Sequence, residues 1–167
     1  MGVTGAGKST IALALNKFLA WPFQEGDDLH PPANIAKLHA GIPLTDADRA
    51  PWLAEIKHWI DARLEAGEPG LVTCSALKRS YRDFLIAFRP AVRILYLRAN
   101  RAVLEQHLHD RPAHFMNPAL LESQLATLEE PAADENPITI DIADTVPATV
   151  AEILRQPPFA AKEAVLF

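Results

Sequence analysis

Apolar side chains recur at helical spacing in several stretches of the chain. The first such stretch, over residues 11–19, predicts a helix. A longer helix is predicted between Thr45 and Gly67, because Asp48 stands in the capping-box position and apolar residues repeat at helical spacing behind it. The same criteria predict further helices from a cap at Asn34, around 81–85, and over 101–109, 120–128 and 146–154.

Short apolar runs between these helices predict strands. They cover residues 21–25, 71–75, 92–97 and 138–142. Strands that alternate with helices are typical of an α/β protein with a parallel sheet and helices on both faces. Ligands of such sheets bind at the carboxyl ends of the strands, which places residues 26–28, 75–78 and Arg98 at one edge.

The segment that opens the chain carries the clearest chemical signal. Residues 2–9 read GVTGAGKS, which fits the phosphate-loop pattern G-x-x-x-x-G-K-[ST]. Backbone N–H groups of such a loop surround phosphate oxygens at a helix N-terminus, the lysine reaches the β- and γ-phosphates, and the hydroxyl binds Mg²⁺. The expected ligands of ATP and Mg²⁺ are therefore Gly2, Val3, Thr4, Gly5, Ala6, Gly7, Lys8, Ser9 and Thr10, with Lys8 catalytic and Ser9 on the metal.

The strand that ordinarily precedes a phosphate loop is missing from this sequence, since only Met1 stands before Gly2. The apolar tail over 164–167 could fill its place, although an ordinary chain end is the simpler expectation. A sheet without that strand would leave backbone groups unpaired. An inactive, truncated fragment therefore stays open as an alternative.

Composition narrows the class of protein. A length of 167 residues predicts one domain over 1–167, with a lid in the aperiodic stretch at about 110–118. The net charge of -5 and the pI of about 5.6 argue against nucleic acid or a membrane surface as partner. Cys74 is the single cysteine, which excludes an internal disulfide and suits the cytoplasm.

Phosphoryl transfer needs a group that orients the acceptor hydroxyl, and Asp27 at a strand end is the candidate. A turn aspartate that caps its own backbone is the alternative role. His30 could hydrogen-bond a polyol or be a structural histidine. Trp52 and Trp59 share one helix face, where core or interface packing is favoured over sugar stacking.

Several cations could meet the phosphates or an acidic substrate. Arg111 lies in the predicted lid, where a guanidinium can reach the transferring group. Arg49 and Arg82 could clamp a carboxylate through the planar guanidinium, and Lys78 lies at the ligand edge. Surface positions for any of these remain the alternative.

Taken together, these stretches resemble the gluconokinase family of small phosphate-loop kinases. The similarity runs from Gly2 to about Leu154 and is most specific in DDLHP over 27–31 and CSALKRSYRD over 74–83. The other matching segments are 2–9, 34–37, 41–53, 114–115, 128–131 and 134–135.

The resemblance implies ATP-dependent phosphorylation of D-gluconate at its 6-hydroxyl, giving 6-phospho-D-gluconate. It also implies a phosphate-loop NTPase fold like that of nucleoside monophosphate kinases, and a cytoplasmic homodimer. A kinase for shikimate or a nucleoside monophosphate is the rival. The implied roles are Ser9 on Mg²⁺, Asp27 and His30 facing the sugar acid, Arg49 and Arg82 as candidates for its carboxylate, and Arg111 for the lid charge.

Overall fold

The computed structural model describes residues 1–110, 118–142, 145–157, 159 and 165–166 of the chain. Its helices are α1 (Lys8–Leu19), α2 (Pro32–His39), α3 (Asp46–Ala66), α4 (Arg79–Ile86), α5 (Arg101–His109), α6 (Pro118–Thr127) and α7 (Val146–Leu154). Its strands are β1 (Phe23–Gln24), β2 (Gly70–Val72), β3 (Val92–Arg93), β4 (Leu95–Arg98), β5 (Ile138–Asp141) and β6 (Val165–Leu166). Single 3-10 turns cover Gly26–Leu29 and Ala133–Glu135.

The strands pair in parallel in two groups. One group has the order β1-β2-β6-β3, and the other pairs β4 with β5. Only Ile94 separates β3 from β4, and its carbonyl accepts a hydrogen bond from the Ile138 N–H at 2.8 Å. The strand predicted over 92–97 is thus divided, because β3 pairs with β6 on one side while β4 pairs with β5 on the other.

Side chains of the central strands alternate between two cores. Leu71, Leu95 and Leu97 pack with residues of α1, α5, α6 and α7, whereas Val72 and Tyr96 pack with residues of α3 and α4. Successive side chains of a strand point to opposite faces, so each face of the sheet has its own helical layer. The predicted α/β fold with a parallel sheet and helices on both faces is confirmed.

The position of β6 corrects the expectation that the tail is an ordinary chain end. β6 lies between β2 and β3, in parallel register with both. Met1 continues the line of β6 in the sheet, and β6 and Met1 together form one column. The Met1 amino group donates to the Leu95 carbonyl, and the Met1 carbonyl accepts from the Leu97 N–H at 3.0 Å. The described tail residues therefore fill the position in the sheet that leads into the glycine-rich loop, because β2 and β3 both offer backbone groups that need partners.

The packing beside this column is incomplete. A cavity of about 30 Å³ lies between α1 and the sheet, and Met1, Lys8, Leu15 and Val72 are among the residues that line it. The cavity lies against Met1, where the column resumes beyond β6.

Two helix starts differ in how well the sequence predicted them. The capping box of α3 is confirmed, since Thr45 and Asp48 exchange side-chain-to-backbone hydrogen bonds. Asn34 does not cap α2, which begins at Pro32, a residue whose fixed φ suits the first turn. No described helix is both long and apolar enough to cross a membrane. The predicted lid at about 110–118 lies almost wholly outside the described residues.

Candidate active site

The glycine-rich loop, residues 2–9, ends in an open helix N-terminus. Gly5 and Gly7 have φ angles of 82° and 75°, a region that favours glycine. Gly7 caps α1 without any side-chain hydrogen bond, and the first helical backbone bond joins the Ile11 N–H to the Gly7 carbonyl at 2.9 Å. The start of α1 thus has no side-chain cap, which suits an anion, and a Cβ placed on Gly7 would meet nothing within 4 Å.

Neighbouring elements hold this loop in shape. The Thr4 N–H donates to Gln124 Oε1 of α6 at 2.7 Å, and the Gly5 carbonyl lies 2.9 Å from His107 Nδ1 of α5. A Cβ on Gly2 would lie 2.8 Å from the Leu97 carbonyl oxygen, so only glycine fits against the end of β4. The loop and the opening of α1 therefore fit the phosphate groups of a nucleotide.

The 3-10 turn that carries Asp27 is fixed from three sides at Gly26. A Cβ on Gly26 would lie 1.8 Å from the Thr73 carbonyl oxygen. The Gly26 N–H donates to Thr73 Oγ1 at 2.9 Å, and the Gly26 carbonyl accepts from Trp52 Nε1 at 2.7 Å. Thr73 Oγ1 in turn donates to the carboxylate of Glu25. The peptide before Asp27 is therefore rigid.

Asp27 itself is exposed, and its carboxylate makes no hydrogen bond or ion pair to any residue in the described part of the chain. This geometry leaves the alternative of a self-capping turn aspartate without support. The carboxylate is available to a ligand at the edge of the sheet.

Cys74 lies just beyond the end of β2, and its thiol is buried. Burial raises its pKa to about 12, with the nearby charge of Asp27 acting in the same direction and that of Lys8 opposing it. Lys8 Nζ donates to the Val3 carbonyl at 3.1 Å, and Cys74 is a small buried residue as expected.

His30 lies at the far end of the acidic turn. It is 8% exposed and stacks on Trp52, with ring centroids 4.4 Å apart and an angle of 15° between the planes. Burial lowers the pKa of the imidazole, Asp27 opposes this shift and Arg49 adds to it. The ring is therefore a fixed, neutral group between the Asp27 turn and α3.

The predicted cations differ in what they already bind. Arg49 is partly buried and acts on the pKa of His30, yet its guanidinium makes no hydrogen bond or ion pair to the residues described. Lys78 Nζ pairs with Asp46 at 2.7 Å, and Asp46 also accepts from the Tyr81 hydroxyl at 2.5 Å. Arg49 is accordingly the better placed of the two for a substrate carboxylate.

The structure corrects the role predicted for Arg82. Its side chain is fully buried and pairs with the buried Glu135 through Nε and Nη2, at 2.5 and 2.9 Å. Nη1 donates to the carbonyls of Ala76, Leu77 and Glu129. A guanidinium without exposed surface cannot reach a carboxylate in solution, so Arg82 ties α4 to the loop before β5 instead.

Other cations of the predicted edge are also engaged. Arg98 forms a two-pronged pair with Asp141 at 2.6 and 2.9 Å. Arg79 pairs in the same way with Asp134. Arg111, predicted to carry the lid charge, lies outside the described residues.

Sequence reasoning missed the supporting residues Asn34 and Trp52. Asn34 was predicted as a helix cap, yet it is 3% exposed and contacts His30 and Asp48. The prediction for Trp52 was packing in the core or at an interface. His30 lies before the first residue of α2, Pro32, so helical spacing in the sequence does not indicate this contact.

Curated relatives cover almost the whole chain, whereas no protein-family model matches it. The chain is 46% identical over 155 residues to a gluconokinase of Gluconobacter oxydans. This alignment covers 93% of this chain and 87% of that protein. It is 41% identical to the thermosensitive gluconokinase of Escherichia coli, over 98% of this chain and 87% of the relative.

Solved structures give the same result. A sugar kinase from a Janibacter species, solved without ligand, superposes with a TM-score of 0.88 at 42% identity, covering 99% of this chain and 95% of that one. A gluconokinase from Sinorhizobium meliloti superposes with a TM-score of 0.81 at 43% identity, covering 98% and 90%. With the loop, the acidic turn and these relatives in agreement, the chain belongs to the gluconokinase family.

Proposed function

We propose that this protein transfers the γ-phosphoryl group of ATP to the 6-hydroxyl of D-gluconate, giving 6-phospho-D-gluconate and ADP. The observation that carries the proposal is the glycine-rich loop with Lys8 at the uncapped start of α1, together with the free carboxylate of Asp27 on a rigid turn. One group suits the phosphates and the other suits an acceptor alcohol. The family membership supports gluconate as that alcohol.

The fold that we propose for this chemistry is that of a phosphate-loop kinase. In it the backbone N–H groups of residues 2–10 bind the phosphate oxygens at the start of α1, and Lys8 leaves Val3 to contact the β- and γ-phosphates. The Ser9 hydroxyl is the protein ligand of Mg²⁺, which neutralises phosphate charge when bound. The φ angles of Gly5 and Gly7 and the free space above Gly7 support this assignment.

Asp27 orients the acceptor hydroxyl and takes up its proton as the O–P bond forms. Its free, exposed carboxylate on a rigid turn supports that role. Arg49 binds the gluconate carboxylate. Lys78, which is paired with Asp46, is a second substrate-binding cation. Arg111 of the predicted lid supplies a positive charge to the phosphoryl group in transfer. The support for this role is the sequence resemblance alone.

The test is ADP release from ATP, measured with gluconate, shikimate and several nucleoside monophosphates as acceptors. We expect turnover with gluconate. Replacement of Lys8 by Ala should lower kcat/KM roughly 100-fold to 1,000-fold, the usual cost of one donor to transition-state charge. Asp27→Asn should lower kcat about 100-fold or more while ATP affinity is retained.

Three outcomes would contradict this proposal: no ADP release with any sugar acid, preferred turnover of shikimate or a nucleotide, or full activity in the Lys8→Ala protein. Circular dichroism of both variants shows whether the fold is retained. We further propose a cytoplasmic homodimer, as the family resemblance implies, and sedimentation of the purified protein tests the dimer.

A further inference from the structure

The hydrogen bonds of Asn34 determine which nitrogen of His30 carries a proton. Asn34 Nδ2 donates to the Asp48 carbonyl at 2.7 Å and lies 3.3 Å from His30 Nδ1. A flipped amide would place Asn34 Oδ1 against that carbonyl oxygen, where no hydrogen bond can form. Nδ2 is therefore the donor in both contacts, and a nitrogen that accepts a hydrogen bond carries no proton of its own.

A histidine whose Nδ1 accepts can be neutral only with its proton on Nε2. Burial and the neighbouring Arg49 both lower the pKa of His30, which favours the neutral ring, although Asp27 acts against them. Nε2 has no hydrogen-bond partner among the described residues. The ring thus presents one fixed N–H donor beside the Asp27 turn.

Trp52 sets the plane of this donor. The indole is fully buried and stacks on the imidazole, while its own Nε1–H is bonded to the Gly26 carbonyl. One side chain therefore holds both the peptide before Asp27 and the ring of His30. The two groups keep a constant relative position because a single rigid indole contacts each of them.

We propose that Asn34 and Trp52 are positioning residues that hold His30 as an Nε2–H hydrogen-bond donor to a hydroxyl oxygen of the sugar acid. This inference rests on the proposed function and deepens it. The roles then divide: Asp27 accepts the proton of the reacting hydroxyl, whereas His30 only donates and is never the base.

The direct test is a long-range proton–nitrogen NMR spectrum of the protein labelled with ¹⁵N-histidine, recorded at neutral pH. We expect the His30 signals of a neutral ring with the proton on Nε2. Signals of the other tautomer, or of an imidazolium, would overturn the inference. This readout does not depend on turnover, so the inference and the proposed function can fail separately.

Asn34→Asp tests the positioning role, because a carboxylate beside Nδ1 accepts where the amide donated. We expect the His30 proton to move to Nδ1, and kcat/KM for gluconate to fall about threefold to tenfold, the size of one neutral hydrogen bond. The KM for ATP should stay the same. An unchanged tautomer in this variant would refute the role of Asn34.

Asn16→Asp is the matched control, since Asn16 Nδ2 also donates to a backbone carbonyl, that of Trp21 at 2.6 Å, but lies on α1. It should leave the His30 signals as they are. Trp52→Phe keeps a ring to stack and loses the N–H bonded to Gly26. We expect it to retain the tautomer and to lower kcat with gluconate, whereas a kcat equal to that of the parent would refute the role of Trp52.

Discussion

Arg49 and Arg82 carry the same guanidinium in opposite surroundings. The resemblance offered both as candidates for the substrate carboxylate, and the sequence had no means of separating them. In the fold, Arg82 is enclosed with Glu135, whose side chain is 3% exposed, while the Arg49 guanidinium has no hydrogen-bond or ion-pair partner in the described part of the chain. The difference between binding a ligand and stabilising the fold is therefore a difference in burial.

Substituting each arginine by Met should separate these roles. Arg82→Met leaves Glu135 buried without its partner, and such a loss costs roughly 3–5 kcal/mol of unfolding free energy. Arg49→Met should instead raise the KM for gluconate and leave the free energy of unfolding nearly unchanged. Urea unfolding and steady-state kinetics of both proteins measure the two effects. A stability loss in the Arg49 variant together with a raised KM in the Arg82 variant would contradict this division of roles.

At the scale of single elements, the residues at the start of α3 were sufficient to predict where this helix begins. Thr45 and Asp48 form the predicted capping box, and Asp48 also pairs with Lys37 of α2 at 2.7 Å. Lys37 and then the Thr45 backbone lower the pKa of Asp48 from 3.8 to about 2. The ionised carboxylate thus ties two helices that flank the His30 turn.

The lowered pKa of Asp48 predicts how stability depends on pH. A carboxylate with a folded-state pKa below its unfolded value stabilises the fold fully above the unfolded pKa. That stabilisation should be present above about pH 4 and lost as the pH falls through about 2, because the pKa of this carboxyl is 3.8 without its partners and about 2 with them. Thermal melting from pH 2 to 6 measures it. Asp48→Asn should flatten this part of the profile, whereas Thr45→Ser, which keeps the hydroxyl, should not.

At the scale of the whole molecule, the sheet is completed by a segment from the other end of the sequence. β6 fills the column between β2 and β3, and Met1 continues that column into the glycine-rich loop. A strand in this position satisfies backbone groups on two neighbours at once. The shape of the loop therefore depends on contacts made far from it in sequence.

Val165→Pro tests this dependence, because proline removes an N–H from a strand that has partners on both sides. We expect the free energy of unfolding to fall by ~1–3 kcal/mol, the cost of an unsatisfied buried backbone group, and ATP to bind more weakly. Val165→Ile keeps the donor and the branched side chain and should behave like the parent. Equal stability and ATP affinity in the proline variant would show that β6 does not support the loop.

Local patterns in the sequence determined the helices, the parallel α/β class and the glycine-rich loop, since periodicity, caps and glycine positions act over a few neighbouring residues. They also placed Asp27 at a strand end, where its carboxylate is free. Only the tertiary structure decided that β6 completes the sheet, that Arg82 is enclosed and that Asn34 contacts His30. Those outcomes depend on burial and on hydrogen bonds between distant residues, which no short stretch of sequence encodes by itself.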